Sequence, residues 1–188
     1  TRGSAQNQMA AVLFAQALCM EGDDKEQQKT TSTESTTASS ELGEATINLH
    51  AAAVSQKPDF GAAFYRMGAT LERGGLSLEA LACQKRATIC TPRLVDAHRA
   101  LARLSSDQHE VIYALRMVNL LEPFDYSSAV QLGVVLASAG RLRDGLNASY
   151  SAAEIKPMRY EAYAAVGDAA SQMEGYGAAA AAFEQAIS

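Results

Sequence analysis

After residue 40 the hydrophobic positions of the chain recur with the spacing of helices. Runs rich in Ala, with Leu, Met, Glu and Gln, dominate this part, and the β-branched or aromatic alternation that strands need is scarce. Short segments that contain glycine or proline separate the helical runs. The pattern therefore predicts an all-α protein.

The prolines mark a repeat in this pattern. Pro58, Pro92, Pro123 and Pro157 are separated by 34, 31 and 34 residues. Ten positions after each proline comes a small residue, as listed here: Gly68, Ala102, Gly133 and Gly167. Proline lacks an N–H and disfavours helix in the residue before it, so each proline ends one unit. Each unit is predicted to be a helix, a glycine-containing turn, a second helix and a proline.

The repeated positions resemble the signature of the tetratricopeptide repeat (TPR) family, whose unit is a 34-residue helical hairpin. Three units carry matching residues, as follows: Phe64, Met67, Gly68, Leu71, Ala80, Ala87 and Pro92; Leu132, Gly133, Leu136, Ala152 and Pro157; Tyr163, Val166, Gly167, Ala179, Phe183 and Ala186. Gly145 stands where alanine is usual. The resemblance implies a right-handed α-solenoid of antiparallel helix hairpins, with about five repeats.

Close helix packing explains the glycines in this arrangement. Two helices can approach closely only where their side chains are small. We expect Gly167 to face Ala179 and Ala186 of the second helix, with Tyr163 and Phe183 at the flanks. The unit opened by Pro92 is three residues short, which is nearly one helical turn, so we expect a first helix shortened by a turn.

The template extends upstream to one more hairpin. Its first helix is predicted at residues 4–20 and its second at residues 41–57, with Ser40 as the N-cap. Residues 21–40 are rich in Ser and Thr and are predicted to be a disordered insertion in this hairpin. The insertion is either a tolerated surface loop or a phosphorylated regulatory tether. The final hairpin has no closing proline, and we expect residues 1–188 to be a single solenoid within a longer array.

Net charge and cysteine content limit the classes of protein to which the chain can belong. The net charge of −5 provides no overall basic field, which argues against a nucleic-acid binder. Cys19, Cys83 and Cys90 form no CxxC pair and leave an odd count, as in a reduced compartment. No apolar run is long enough to span a membrane. We expect a cytoplasmic protein, with a ciliary or other assembly also open.

The sequence offers little for catalysis. His50 and His98 fall at packing positions of the repeat, and the chain has no HxxxH or HExxH spacing. The phosphate-binding GxxxxGK[ST], the dinucleotide-binding GxGxxG and the nucleophile motif GxSxG are also absent from the sequence. We therefore expect no enzymatic activity, no metal and no cofactor.

The resemblance implies that partners bind in a concave groove formed by the first helix of each hairpin. The candidate partner-binding residues there are Tyr65, Arg99, Arg103, Val130, Val134 and Asp168, with Ala69 and Ala164 beside them. Family members that hold the C-terminal carboxylate of chaperones use Lys, Asn and Arg at such positions, and here only the two arginines match. These arginines bind an acidic group of a partner or form ion pairs within the chain.

These observations predict a non-enzymatic scaffold that binds a partner peptide or helix and serves as a subunit of a multi-protein assembly. Two alternatives remain at this point. The chain could be a regulatory repeat region of a larger enzyme, or an RNA-binding helical repeat, which the acidic balance disfavours.

Overall fold

The structure is a computed structural model that describes residues 5–6, 8–17 and 36–187. These residues form ten helices and no strand. The first, α1, covers residues 8–17. The others are α2 (Thr36–Gln56), α3 (Gly61–Arg73), α4 (Ser77–Cys90), α5 (Val95–Leu104), α6 (Gln108–Leu121), α7 (Tyr126–Ser138), α8 (Leu142–Ile155), α9 (Tyr160–Gln172) and α10 (Tyr176–Ile187). The predicted all-α fold is confirmed.

The helices pair into antiparallel hairpins. Gly61 of α3 lies against Thr91, directly after α4, while Gly68 lies against Gln84 of α4, so the two helices run in opposite directions. The pairs α7 with α8 and α9 with α10 are packed in the same way along the chain. Successive hairpins are also in contact where α3 packs on α2, α7 packs on α6 and α9 packs on α8. Pro58, Pro92, Pro123 and Pro157 all lie between hairpins, as the repeat predicts.

The shortened unit is confirmed. Helix α5 has 10 residues, whereas α3, α7 and α9 each have 13. The second helix of the unit, α6, keeps the full 14 residues of α4 and α8. The three-residue deficit therefore falls on the first helix, where the loss of nearly one turn keeps the packing face in phase.

Helix α2 begins earlier than the sequence predicts. It starts at Thr36, four residues ahead of the predicted N-cap Ser40, so residues 36–40 are helical instead of part of a disordered insertion. Ser and Thr lower helix propensity by only a few tenths of a kcal/mol each, so the alanine-rich helix that follows can extend through them. Residues 21–35 of the predicted insertion, and both ends of the predicted helix at 4–20, lie outside the described residues.

The chain divides into two compact units, Thr1–Ala100 and Leu101–Ser188, and the division falls inside α5. In the second unit, one core cluster joins α7, α8 and α9 and another joins α6 and α7. In the described part of the chain, no helix combines the length and apolar character needed to cross a bilayer. The predicted single solenoid over residues 1–188, and the longer array, stay predictions.

The small residues of the first helices face the second helices, as predicted. Gly68, Gly133 and Gly167 are all buried. A Cβ on Gly68 would lie 2.6 Å from the Gln84 Nε2 atom, and a Cβ on Gly133 would collide with the Ser149 hydroxyl. Both glycines therefore permit a close approach of the helix pair.

One detail of this packing differs from the sequence prediction. Gly167 faces the ring of Phe183, whose Cε1 atom would lie 2.6 Å from an added Cβ, whereas Ala179 and Ala186 were expected there. Because glycine has no side chain, the ring of Phe183 occupies the space that a side chain at Gly167 would take. Gly145 is explained as well, since its added Cβ would lie 2.8 Å from the backbone oxygen of Gly133.

Candidate functional site

The candidate partner-binding residues lie on the first helices of four hairpins. Tyr65 is on α3, Arg99 and Arg103 are on α5, Val130 and Val134 are on α7, and Asp168 is on α9. Tyr65 and Arg99 belong to the unit Thr1–Ala100, and the other four belong to Leu101–Ser188.

In the second unit, α7 and α9 contact each other. We call the predicted partner-binding positions on them, Val130 and Val134 of α7 with Ala164 and Asp168 of α9, the first-helix surface. Val130 is half-buried and packs against the core, and Ala164 is half-buried too. Val134 is 51% exposed, and Asp168 is also exposed. The surface thus offers apolar side chains together with one carboxylate, which suits a ligand with apolar groups and a cation.

A cluster that the sequence did not single out lies at the N-terminal ends of α7 and α9. The Tyr126 hydroxyl donates a hydrogen bond to the Glu161 Oε2 atom over 3.0 Å. Lys156 Nζ lies 5.4 Å from the centroid of the Tyr126 ring and the Arg159 guanidinium carbon lies 5.8 Å from it, within the range of cation–π contacts. Arg159 also forms an ion pair with Glu161 over 3.8 Å. These contacts connect one hairpin with the next.

The cluster changes the acidity of its members. The pKa of Glu161 lies below its ordinary value, chiefly because a backbone N–H hydrogen bond stabilises the carboxylate, with further help from Tyr126 and the cations Arg159 and Lys156 and with burial acting in the opposite direction. Burial raises the pKa of the Tyr126 phenol, and the hydrogen bond to Glu161 raises it further. At neutral pH the pair is therefore a neutral donor and an ionised acceptor.

The sequence does contain a signal for this cluster. The quartets Pro-Phe-Asp-Tyr at 123–126 and Pro-Met-Arg-Tyr at 157–160 stand 34 residues apart and differ in their two middle residues. Comparing them would have identified the repeated tyrosine at the start of each first helix. The surroundings of the two tyrosines, by contrast, depend on which residues pack against each of them.

In the first unit, Tyr65 is half-buried, and the guanidinium carbon of Arg66 lies 5.8 Å from the centroid of its ring. The side chain of Gln84 anchors the same turn of α3, because its Nε2 donates to the Tyr65 backbone oxygen over 3.2 Å. The Tyr65 backbone is thus fixed by the second helix of its own hairpin. An aromatic ring is able to pack on an apolar side chain of a ligand, and the cation beside it is able to bind an acidic one.

The two arginines of α5 differ in their surroundings. Arg99 forms an ion pair with Asp96 one turn earlier on the same helix, with 3.4 Å between Nη1 and Oδ1. Both side chains of this pair are largely exposed, so the pair contributes little to stability. Arg103 is exposed on the next turn. An ion pair within the chain, one of the two interpretations of the arginines, is thus present at Arg99.

The histidines of α2 and α5 are packing residues, as the repeat predicts. His50 is fully buried, and its ring centroid lies 5.6 Å from that of Phe14. His98 is also fully buried, and its Nε2 lies 2.9 Å from the Pro92 backbone oxygen. Cys83 and Cys90 are free thiols. Among residues 5–6, 8–17 and 36–187, no three His, Cys, Asp or Glu side chains are grouped closely enough to hold a metal ion.

No protein-family model matches this sequence, and no curated protein matches it. Solved structures do match its fold. A crystal structure of MamA protein aligns with a TM-score of 0.74 at 17% identity, over 93% of this chain and 90% of that one. MamA 41-end from Desulfovibrio magneticus RS-1 aligns with a TM-score of 0.69 at 14% identity, over 91% of this chain and 93% of that one.

YrrB, described as a TPR protein with an unusual peptide-binding site, aligns with a TM-score of 0.70 at 19% identity. The alignment covers 80% of this chain and 79% of YrrB. At these identities the likeness concerns the fold. Together with the hairpins and the buried glycines, it shows that this chain has the fold of the tetratricopeptide repeat proteins.

Proposed function

We propose that this chain is a protein interaction scaffold that holds a peptide or helix of a partner protein in the concave groove formed by its first helices. The observation that carries the proposal is the first-helix surface of the second unit. Val134 there leaves half of an apolar side chain exposed, on a helix whose other side packs into the hairpin core. Apolar positions spaced by one helical turn are the usual means of holding a peptide side chain.

The partner segment is expected to combine apolar residues with a positive charge. Val130 and Val134 would contact its apolar residues, and Asp168 would contact its cation. The likeness in fold to YrrB supports peptide binding in general.

Selection from a displayed peptide library tests this function without a known partner. Peptides enriched on the wild-type chain should lose most of their binding to Val134→Glu, because a carboxylate would be placed against their apolar side chains. The matched control is Tyr150→Glu, on α8 of the same unit, where Tyr150 is 46% exposed. Peptides that bind Val134→Glu as well as the wild type, or a library that yields no binders, would contradict the proposal.

The arginine pair of α5 is a separate part of the proposal. Arg99 and Arg103 lie one turn apart and would bind an acidic group of a partner. The double variant Arg99→Glu, Arg103→Glu should then weaken binding of acidic peptides from the same library. Unchanged binding would remove the arginines from the site and leave the first-helix surface of the second unit as the proposed site.

The absence of enzymatic activity, a cytoplasmic location and membership in a larger assembly belong to the same proposal. Free thiols at Cys83 and Cys90 suit a reducing compartment. Size-exclusion chromatography of the tagged protein from cells, read by immunoblot, tests the assembly. Elution at the size of the isolated chain would contradict it.

A further inference from the structure

Helix α6 is apolar on its outer face as well as on its buried face. The buried face is formed by these residues: Ile112, Leu115 and Val118. Tyr113, Met117 and Leu120 follow one another at i, i+4 and i+7 on the other side, and we call them the outer face of α6. Tyr113 is 56% exposed and Leu120 is 72% exposed, with Met117 half-buried between them. A helix that is apolar on all sides is normally covered on all sides, so this outer face has the composition of a contact surface.

Helix α8 shows that the repeat itself does not require apolar residues at these positions. The equivalent residues of α8, 34 positions later, are all polar and exposed: Asn147, Ser151 and Glu154. Both helices are followed by at least one further hairpin, so the exposure of their outer faces does not arise from the ends of the chain. In a repeat array each unit packs on its neighbours along the array, which leaves these outer faces uncovered. Compared with α8, the apolar character is therefore particular to α6, and contact with another molecule would account for it.

The edge of the outer face that borders α8 is positively charged. Arg116 of α6 forms an ion pair with Asp144 of α8, with 3.7 Å between Nη2 and Oδ2. Arg141 donates from Nε to the same Asp144 oxygen over 3.0 Å. Arg143 adds a third guanidinium at an exposed position of the same turn of α8. Three cations and one carboxylate leave an excess of positive charge at this edge, which attracts acidic groups.

Two acids at the start of α6 lie farther from this edge. Asp107 caps the helix, since its Oδ1 accepts a hydrogen bond from the His109 backbone N–H over 2.9 Å. Glu110 accepts a hydrogen bond from the Ser105 hydroxyl over 2.7 Å. At a rise of about 1.5 Å per residue, they precede Arg116 by about 14 Å and about 9 Å along the helix, so physiological salt weakens their effect on it.

We propose that the outer face of α6 binds an acidic amphipathic α-helix of a partner protein. Apolar residues of the partner helix at i, i+4 and i+7 pack on Tyr113, Met117 and Leu120, which is the usual pattern for one helix lying along another. Glutamate or aspartate residues that flank this apolar stripe lie against Arg116 and Arg143. Charge complementarity selects this partner over a second copy of the chain, because a symmetric dimer through this face would place both arginine-rich edges in one interface. The proposal goes beyond the proposed function, because neither the first-helix surface nor the arginine pair of α5 contains these residues.

A displayed library of helical peptides tests the proposal. The peptides are about 18 residues long, or about five helical turns, and carry leucines spaced alternately by four and three residues. The positions that flank the leucines are randomised among Glu, Lys and Ser. The full chain is the bait, and the affinities of enriched peptides are measured by fluorescence anisotropy. We expect enrichment of Glu at the flanking positions, because the arginine-rich edge attracts carboxylates.

Two variants and one control make the test specific. Leu120→Glu introduces the residue that α8 carries at the equivalent position, Glu154, so the chain stays folded while binding weakens about tenfold or more. The double variant Arg116→Glu, Arg143→Glu should weaken binding of the Glu-flanked peptides to a similar extent and bind Lys-flanked versions more tightly than the wild type does. Val134→Glu, on the first-helix surface, is the control and should leave binding unchanged, which separates this proposal from the proposed function.

Several results would overturn the proposal. Enrichment of Lys, or no preference between Glu and Lys, would show that the arginine-rich edge does not select the partner. A library without a peptide that binds more tightly than about 1 mM would show that the outer face holds no helix. Binding that is lost in Val134→Glu and kept in Leu120→Glu would place the peptides on the first-helix surface instead. Self-association of the chain in sedimentation velocity that Leu120→Glu abolishes would identify a second copy of the chain as the occupant.

Discussion

Tyr126 and Glu161 are joined by a hydrogen bond of 3.0 Å between the phenol and the carboxylate, and they belong to the first helices of successive hairpins. The bond spans 35 residues of sequence. Non-local contacts of this kind determine how one hairpin is placed on the next, whereas the contacts inside a hairpin are local in sequence. The contribution of the pair to stability can therefore be measured separately from that of hairpin packing.

Replacing the tyrosine with phenylalanine tests this contribution. Tyr126→Phe keeps the ring in the core and removes the hydroxyl, so we expect the free energy of unfolding to fall by about 1 kcal/mol. Urea denaturation followed by circular dichroism measures the change. Tyr150→Phe, at an exposed position on α8, is the matched control and should have no measurable effect. Equal effects of the two variants would show that the hydroxyl of Tyr126 contributes nothing specific.

The same pair predicts a dependence of stability on pH. The pKa of Glu161 is lower in the folded chain than its ordinary value of 4.5, so the unfolded chain binds this proton more readily. The stabilising effect is therefore fully present above the unfolded-state pKa and is lost as the pH falls through the folded-state pKa. The unfolding free energies of wild type and Glu161→Gln should differ at pH 7 and converge in acid. A difference that persists below both pKa values would contradict this account.

Gly145 is predicted to be intolerant of a methyl group. The added Cβ would lie 2.8 Å from the Gly133 backbone oxygen and 2.9 Å from the Ala137 backbone nitrogen, and backbone atoms cannot move aside easily. We expect Gly145→Ala to lower the unfolding free energy by about 2 kcal/mol, in spite of the better helix propensity of alanine. Gly177→Ala on α10 is the control, because nothing lies within 4 Å of its added Cβ. That variant should be neutral or slightly stabilising in thermal unfolding.

Two opposite substitutions, Glu174→Gly and Gly140→Ala, test the backbone conformation of the turn between the two helices of a hairpin. Gly75 and Gly140 adopt positive φ angles of 80° and 75°, and the equivalent position of the last hairpin is Glu174 at 60°. A side chain in this conformation costs about 1 kcal/mol relative to glycine. We expect Glu174→Gly to raise the unfolding free energy by somewhat less than this amount, because glycine also increases the conformational entropy of the unfolded chain.

Gly140→Ala should lower the unfolding free energy by about 1 kcal/mol. No atom lies within 4 Å of the added Cβ there, so the change reports backbone conformation alone. Chemical denaturation of both variants gives the comparison. If both changes shifted stability in the same direction, the positive φ would not be the cause.

The repeat made much of the fold predictable from sequence. Proline spacing and the small residues that follow each proline predicted the hairpins, the buried glycines and the shortened α5. The sequence prediction was wrong where neighbouring side chains decide the outcome. Phe183, instead of Ala179 and Ala186, lies on Gly167. The residue types permit several arrangements there, and the three-dimensional neighbour selects one.

The candidate site was predictable only in part. Helix periodicity placed Val130, Val134 and Asp168 on first helices. Val134 and Asp168 each directly follow the packing glycine of their helix, and Val130 lies one turn before Val134. Periodicity could not reveal that Arg99 pairs with Asp96, because exposed ion pairs depend on rotamers. It also missed the cluster around Tyr126, which requires contacts between residues of separate hairpins.

The position on the second helix that lies over the first-helix glycine carries a chemically different residue in each of three hairpins. The atoms that lie over the first-helix glycine belong to an amide in Gln84, a hydroxyl in Ser149 and a phenyl ring in Phe183. The fit over the glycine is therefore constrained at this position, whereas the chemical type of the side chain differs between repeats. In a deep mutational scan, Gly68, Gly133 and Gly167 should tolerate almost no substitution, while positions 84, 149 and 183 should accept substitutions of several kinds.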